Sequence, residues 1–252
     1  MIISNFDEAL KIDHRYTALL YCPPGVGKST AIGLIAEASE GNTLVLDVDR
    51  TITKTLAKKE VVKDTSKLFL AEVENRAKNY DQGISGTFES WSNLLRKELT
   101  ADFIKQNDIR TIAVDNISEL ERCILSDLGA QGKNKGVPAQ ADYQYMQFQL
   151  VNSLRYMKSL GVNIVWTAWQ DVRSIINIDG TQYSQLIPKM SLKIVDNICG
   201  LCDVVGNIVV NKEGARGIVL EATRTIYAKN QIDSRKACKV EDFVKFRWEG
   251  EK

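Results

Sequence analysis

The chain is short of the features that mark several functional classes. Among its 252 residues no apolar run approaches the roughly 18 that cross a bilayer. The opening "MIISNFDEALKIDHR" lacks a basic flank followed by an apolar stretch, so neither a membrane span nor a secretory leader is expected. Cysteines number five, odd and scattered, which excludes a disulfide framework and suggests a reducing, cytoplasmic compartment. The only histidine, His14, is far from the C-x-x-C pair Cys199 and Cys202, and without a second pair these thiols read as core packing, not as a zinc knuckle. Excess charge is missing too, with 33 Lys and Arg against 32 Asp and Glu. The chain as a whole therefore has no electrostatic footprint for nucleic acid, and any such contact must come from local loops.

What is present fits one large α/β domain: 44% hydrophobic and 26% charged residues suffice for a substantial core. β-rich runs at 16–22, 42–49, 66–73, 109–116 and 162–169 alternate with helical stretches, which predicts a mostly parallel sheet with helices on both faces. Tyr143, Met146, Leu150, Leu154 and Met157 recur at helical spacing and predict an amphipathic helix ended by Gly161. After residue 200 the pattern becomes a β-meander with a turn at Lys212–Gly214, and the mildly basic C-terminus reads as a solvated helix. The nucleotide-binding core is expected over about 16–232, with 233–252 as an extension. Trp91, Trp166 and Trp248 read as packing area.

One short stretch carries chemistry. "YCPPGVGKST" matches the phosphate-binding loop G-x-x-x-x-G-K-[ST] at Gly27, Lys28 and Ser29, with Cys22 where the first glycine belongs. A strand, "TALLY", precedes it and a helix, "STAIGLIAEASEG", follows, so backbone N–H groups and the helix N-terminus converge on phosphate oxygens. Pro23, Pro24, Gly25, Val26, Gly27, Lys28, Ser29 and Thr30 form the expected cradle for ATP. Lys28 would reach the β- and γ-phosphates and Ser29 would hold Mg²⁺. Cys22, followed by Pro23 and Pro24, is expected to keep the loop's path at a cost of roughly 1 kcal/mol, with its thiolate favoured by the helix N-terminus. "TIAVDN" ends in Asp115, which would orient Mg²⁺, cap the following helix, or do both. "VLDVDRT" supplies Asp47 and Asp49 at the end of the second strand; a carboxylate there could activate water, although Asp47 could equally be a salt-bridge partner.

In this order the motifs resemble the RecA-like P-loop ATPases, and in particular compact phage-encoded proteins of recombination and single-strand annealing. The resemblance spans about Thr17 to Ile232. It implies a RecA-like fold, DNA-stimulated ATP hydrolysis, a homo-oligomer and, for a phage protein, the host cytoplasm. The water-activating glutamate of that family corresponds to Asp49, the glutamine that couples the γ-phosphate to DNA corresponds to Gln170 in "VWTAWQ", and Lys229 in "TRTIYAKNQI" matches a lysine that reaches the neighbouring subunit's nucleotide. Gln231 stands where that family has a second lysine. Two loops, 129–142 and 171–189, are implied to touch single-stranded DNA, through Lys133, Lys135, Arg173 and Lys189 on phosphates and Tyr183 stacked on a base. Alternatives are an AAA-type helicase loader or remodelling ATPase, a small-molecule kinase, and a nucleotide-gated binding module. The β-rich 203–229 segment argues against a helical lid, and the long loops are poor in the arginines a kinase lid would use.

Overall fold

The computed structural model describes residues 14–58, 60–75, 86–134 and 136–247. Lys135 and Trp248 lie outside them. Five parallel strands form the centre: β1 (Thr17–Cys22), β2 (Asn42–Asp47), β3 (Leu68–Glu72), β4 (Ile109–Asp115) and the first half of β5 (Asn163–Ile176). Their order across the sheet is β1-β5-β4-β2-β3, so β5 separates the strand that feeds the phosphate loop from the strand that ends in Asp115. On the other side of β1 lies β7 (Val204–Val210), parallel to it, followed outward by antiparallel β8 (Arg216–Val219) and β10 (Ala237–Lys239). A two-residue strand, β9 (Lys229–Asn230), pairs with the start of β7. The fold is thus α/β with a mostly parallel central sheet.

Strand pleat divides the core in two. Leu19, Tyr21, Leu44, Leu46, Ile112, Val114, Ile164 and Trp166 face one side. There they meet α3 (Thr87–Asn93), α5 (Ile117–Gln131), α6 (Gln140–Ser159) and α7 (Leu192–Leu201), through residues such as Trp91, Ile124, Leu154 and Ile198. Ala18, Leu20, Cys22, Val45, Ala113 and Val165 face the other side, against α1 (Lys28–Ala38) and α2 (Ile52–Leu56). A short α4 (Ala101–Gln106) leads into β4. In α6, Met146, Leu150, Leu154 and Met157 are buried as their spacing predicts, but Tyr143 is exposed. It belongs to the helix's first turn.

Three expectations change. The C-terminus is no solvated helix: β10 and a short 3-10 turn (Val240–Asp242) bring Phe243 and Phe246 onto Tyr16, in a buried aromatic triad with centroid separations of 4.9–5.7 Å. The apolar Phe243 and Phe246 outweigh the charges between them. Segment 171–189 is not a loop, because β5 runs on past the sheet to Ile176 and returns as β6 (Gln182–Pro188), an antiparallel hairpin. Alternation in "DVRSIINIDGTQYSQLIP" around the Asp179–Gly180 turn is the reason. Segment 129–142 is a loop only in its middle: α5 extends to Gln131 and α6 begins at Gln140, leaving a connection at 132–139.

Candidate nucleotide site

The phosphate loop leaves β1 at Cys22 and becomes α1 at Lys28. Gly25 and Gly27 have φ of 81° and 122°, a backbone that side chains rarely adopt, and this lets the loop fold back over the start of α1. No side chain caps α1, so its first N–H groups are open to a ligand, as a phosphate cradle requires. Lys28 is only 7% exposed, and among the described residues no carboxylate lies within ion-pair distance of it. A buried cation without an acid is costly unless an anion joins it.

Across from the loop, β4 ends in Asp115, itself 1% exposed. Ser29 Oγ donates to Asp115 Oδ2 at 2.6 Å, and Thr167 Oγ1 donates to Asp115 Oδ1 at 2.8 Å from β5. The carboxylate is therefore aimed at the first turn of α1. It does not cap α5. That role falls to Asn116, whose side chain accepts from the Glu119 N–H at 2.9 Å.

Asn116 also donates to Asp49 Oδ2 at 2.6 Å, which holds Asp49 on the wall of the cleft. Burial, then the charges of Asp115 and Glu119, push the Asp49 carboxyl up to about 7, with Lys28 pulling the other way. Asp47 is raised as well, first by burial and then by Asp115, against backbone N–H donors from Arg50, Ile52 and Thr51. Asp47 is thus held by the turn into α2. Neither Asp47 Oδ1 nor Asp49 Oδ1, both buried, has a hydrogen-bond partner within the protein.

These groups border a cleft of about 640 Å³. Of the expected cradle, Pro24, Gly25, Gly27, Lys28, Ser29 and Thr30 line it; Pro23 and Val26 do not. Val26 turns its side chain onto the α1 face of the core. Trp169 is on the wall, while Gln170 sits behind it, its Oε1 accepting from Asn207 at 3.1 Å. Asn207 also donates to the Tyr21 carbonyl at 3.1 Å, so β5, β7 and β1 are linked just below the loop.

The expectation of a favoured thiolate at Cys22 is overturned. Fully buried on β1, its thiol is pushed up to about 11 by burial, which outweighs the nearby charges of Lys28 and Arg216. Lys229 is engaged within its own chain. Its ammonium donates to the carbonyls of Cys199, Gly200 and Cys202, at 3.3, 3.2 and 2.6 Å, closing the C-terminus of α7. Arg173 is engaged by Gln185, by Asp196 at 3.6 Å and by the Tyr227 ring, and Tyr183 lies under Arg224. Lys133 and Lys189 are exposed. Four residues at the site were missed: Asn116, Thr167, Asn207 and Arg216. Asn116 had a signal, a capping residue with Glu119 three positions on; Asn207 had another, a lone polar residue inside "VVGNIVV". Thr167 looks like any strand threonine.

The oxygen donors here, a hydroxyl and a carboxylate 2.6 Å apart with unpartnered carboxylate oxygens nearby, suit Mg²⁺. Among the described residues no cluster of three His, Cys, Asp or Glu could hold a metal unaided, so such an ion would need phosphate oxygens as well. A family model described as an AAA domain matches residues 14–232. The chain belongs to the AAA-domain family. No curated protein matches it. The match covers every strand from β1 to β9, including both halves of the cleft, and it brings a P-loop ATPase-like fold with nucleotide binding and hydrolysis. Among the described residues of this AAA domain no helix is long and apolar enough to cross a membrane.

Proposed function

We propose that this AAA domain is a RecA-like, Mg²⁺-dependent ATP hydrolase that acts on single-stranded DNA as a homo-oligomer in the cytoplasm, in phage-type recombination or annealing. The observation that carries the hydrolase reading is the junction of Ser29 with Asp115 beside the buried, acid-free Lys28. Lys28 and the α1 N-terminus bind and orient the phosphates, and Ser29 and Asp115 hold Mg²⁺. Bound there, Mg²⁺ supplies charge neutralisation on the β- and γ-phosphate oxygens. Asp49, raised to about 7, is a base matched to neutral pH: its carboxylate takes the proton of the water whose oxygen bonds to the γ-phosphorus as the bridge to ADP breaks.

Support for the DNA reading is the continuity of β5, which leads from Gln170 straight into the projecting β5–β6 hairpin, with Tyr183 on β6 and Lys189 just after it. A second reading, a protein-remodelling ATPase, is favoured by the same hairpin's apolar exposure: Ile176 is 70% exposed and Ile178 fully so. ATPase assays with and without single-stranded DNA at low salt test the proposal. Stimulation of several-fold by DNA, lost as salt rises, is expected. Hydrolysis indifferent to DNA would discard the DNA role in favour of a protein target, and no hydrolysis at all would leave only a nucleotide-gated binding module.

A further inference from the structure

Arg216 opens β8, opposite Val210 in the β7–β8 hairpin, and lies across the phosphate loop from outside it. Its Nε donates to the Val26 carbonyl at 3.4 Å, and a Cβ placed on Gly27 would fall 2.5 Å from that nitrogen. The loop's last glycine is therefore covered by a guanidinium. Arg216 lines the same cleft as Lys28. Among the described residues no carboxylate lies within ion-pair distance of Arg216 either. A guanidinium carries five N–H donors in a planar fork suited to phosphate, and one long bond to a carbonyl leaves most of them free. Two cations without acids, one buried and one half-buried, converge on one cleft from different elements of the fold. That arrangement calls for an anion with more than one charge.

We infer that Arg216 is a second phosphate-binding cation, supplied in cis by the β7–β8 hairpin, which meets the phosphate chain of a bound nucleoside triphosphate and fixes the hairpin when it does so. The inference rests on the nucleotide reading of the cleft and adds a residue outside the phosphate-loop motif. It has a structural consequence, because Asn207 on the same hairpin holds Gln170. A hairpin fixed by phosphate would be fixed against the strand that leads into β5–β6.

Arg216→Gln keeps most of the stem over Gly27 and removes the charge; Arg216→Lys keeps the charge. Calorimetric titration with Mg-ATP and Mg-ADP should find ATP binding weakened about tenfold or more in Arg216→Gln, ADP binding weakened less, and Arg216→Lys within about threefold of the parent. Hydrogen exchange on the unaltered protein is the second measurement, independent of how any variant folds: Mg-ATP should slow exchange in the turn at 211–215. Unchanged exchange there, or parental ATP affinity in Arg216→Gln, overturns the role of Arg216. Lys28→Ala separates the two levels: if it abolishes ATP binding while Arg216→Gln binds ATP with the parental affinity, the cleft stands and Arg216 alone is removed. If the unaltered protein binds no ATP, the cleft reading and this inference fall together.

Discussion

Lys229 offers a test of structure against motif order. Its ammonium caps α7 by donating to three carbonyls, the shortest contact being 2.6 Å to Cys202. Lys229→Met keeps the aliphatic length and deletes the cap. A hydrogen bond from a charged donor contributes about 1.5–3 kcal/mol net, and a cation at a helix C-terminus about 0.3–1 kcal/mol. Half-exposure of the lysine argues for the lower half of the combined range, about 2 kcal/mol. For a domain of this size each kcal/mol moves the melting temperature by about 2–4 °C, so a fall of about 4–8 °C is expected. Thermal unfolding without nucleotide measures it, and ATPase rates at two protein concentrations, taken well below the melting range, measure the alternative. Under the capping role, turnover per folded molecule is unchanged. A melting temperature within about 1 °C of the parent, with turnover lost and then regained on mixing with Lys28→Ala, would refute the argument. It would place Lys229 at a neighbour's nucleotide.

Lys28→Ala should abolish ATP binding measured by calorimetry yet raise the melting temperature slightly, since it deletes a buried charge that lacks an acid. Asp49→Asn should reduce turnover by at least about a hundredfold, and the parent's rate should climb as pH passes through about 7 and the carboxyl ionises. The same substitution tests linkage in Mg²⁺-free protein. With its ordinary value of 3.8 raised to about 7, Asp49 keeps its proton in the fold where the unfolded chain has lost it, so stability is highest below about pH 4 and declines as pH rises to about 7. At full weight that is about 4 kcal/mol, and partial solvation leaves about 2. Asp49→Asn should flatten the fall in melting temperature between pH 5 and 8 without erasing it, because Asp47 and Glu121 are raised too; an unchanged slope counts against the shift. Tyr21→Phe should cost about 1–2 kcal/mol in denaturant titrations, because its hydroxyl serves the carbonyls of Leu186 and Tyr227 and both are left without it.

The phosphate loop and the five central strands were legible because each depends on local pattern: glycines at positive φ, a lysine at a helix start, apolar runs bounded by turn residues. Asp115 was legible for the same reason, as the polar residue that ends an apolar strand. Thr167, Asn207 and Arg216 were not, since each reaches the site across sheet pairings between residues 37 to 190 positions apart, and nothing local fixes those. Lys229 is read differently by motif order and by the fold. Motif order assigns it to a neighbouring subunit's nucleotide, while within its own chain its ammonium meets carbonyls at the end of α7, 27 to 30 residues earlier. Cys22 failed on burial: the loop's first position faces the α1 side of the core, where a thiol loses more from desolvation than it gains from a helix N-terminus.

The base of the β5–β6 hairpin ties the cleft to whatever the hairpin touches. Ser118, two residues into α5, accepts from the Trp169 N–H at 2.9 Å and donates to the Lys189 carbonyl at 2.7 Å, while the Lys189 N–H donates to the Trp169 carbonyl at 2.8 Å. Glu121, one turn on, takes the Ser191 N–H with both oxygens. From β1, on the same face of the sheet as α5, the Tyr21 hydroxyl donates to the Leu186 carbonyl at 3.0 Å. Asp115 stands three residues before Ser118, and Tyr21 one residue before Cys22, where the loop begins. The Asp115 end and the phosphate-loop end of the cleft are therefore each tied, through Ser118 and Tyr21, to the root of one hairpin. A shift of Asp115 toward Ser29, or of the loop toward phosphate, moves a hydrogen-bonded anchor, and packed strands transmit such a shift better than a loop of the same length would. Were 171–189 the loop that the family resemblance implies, the ends of the cleft and the exposed isoleucines would be uncoupled. As a strand pair they form one element.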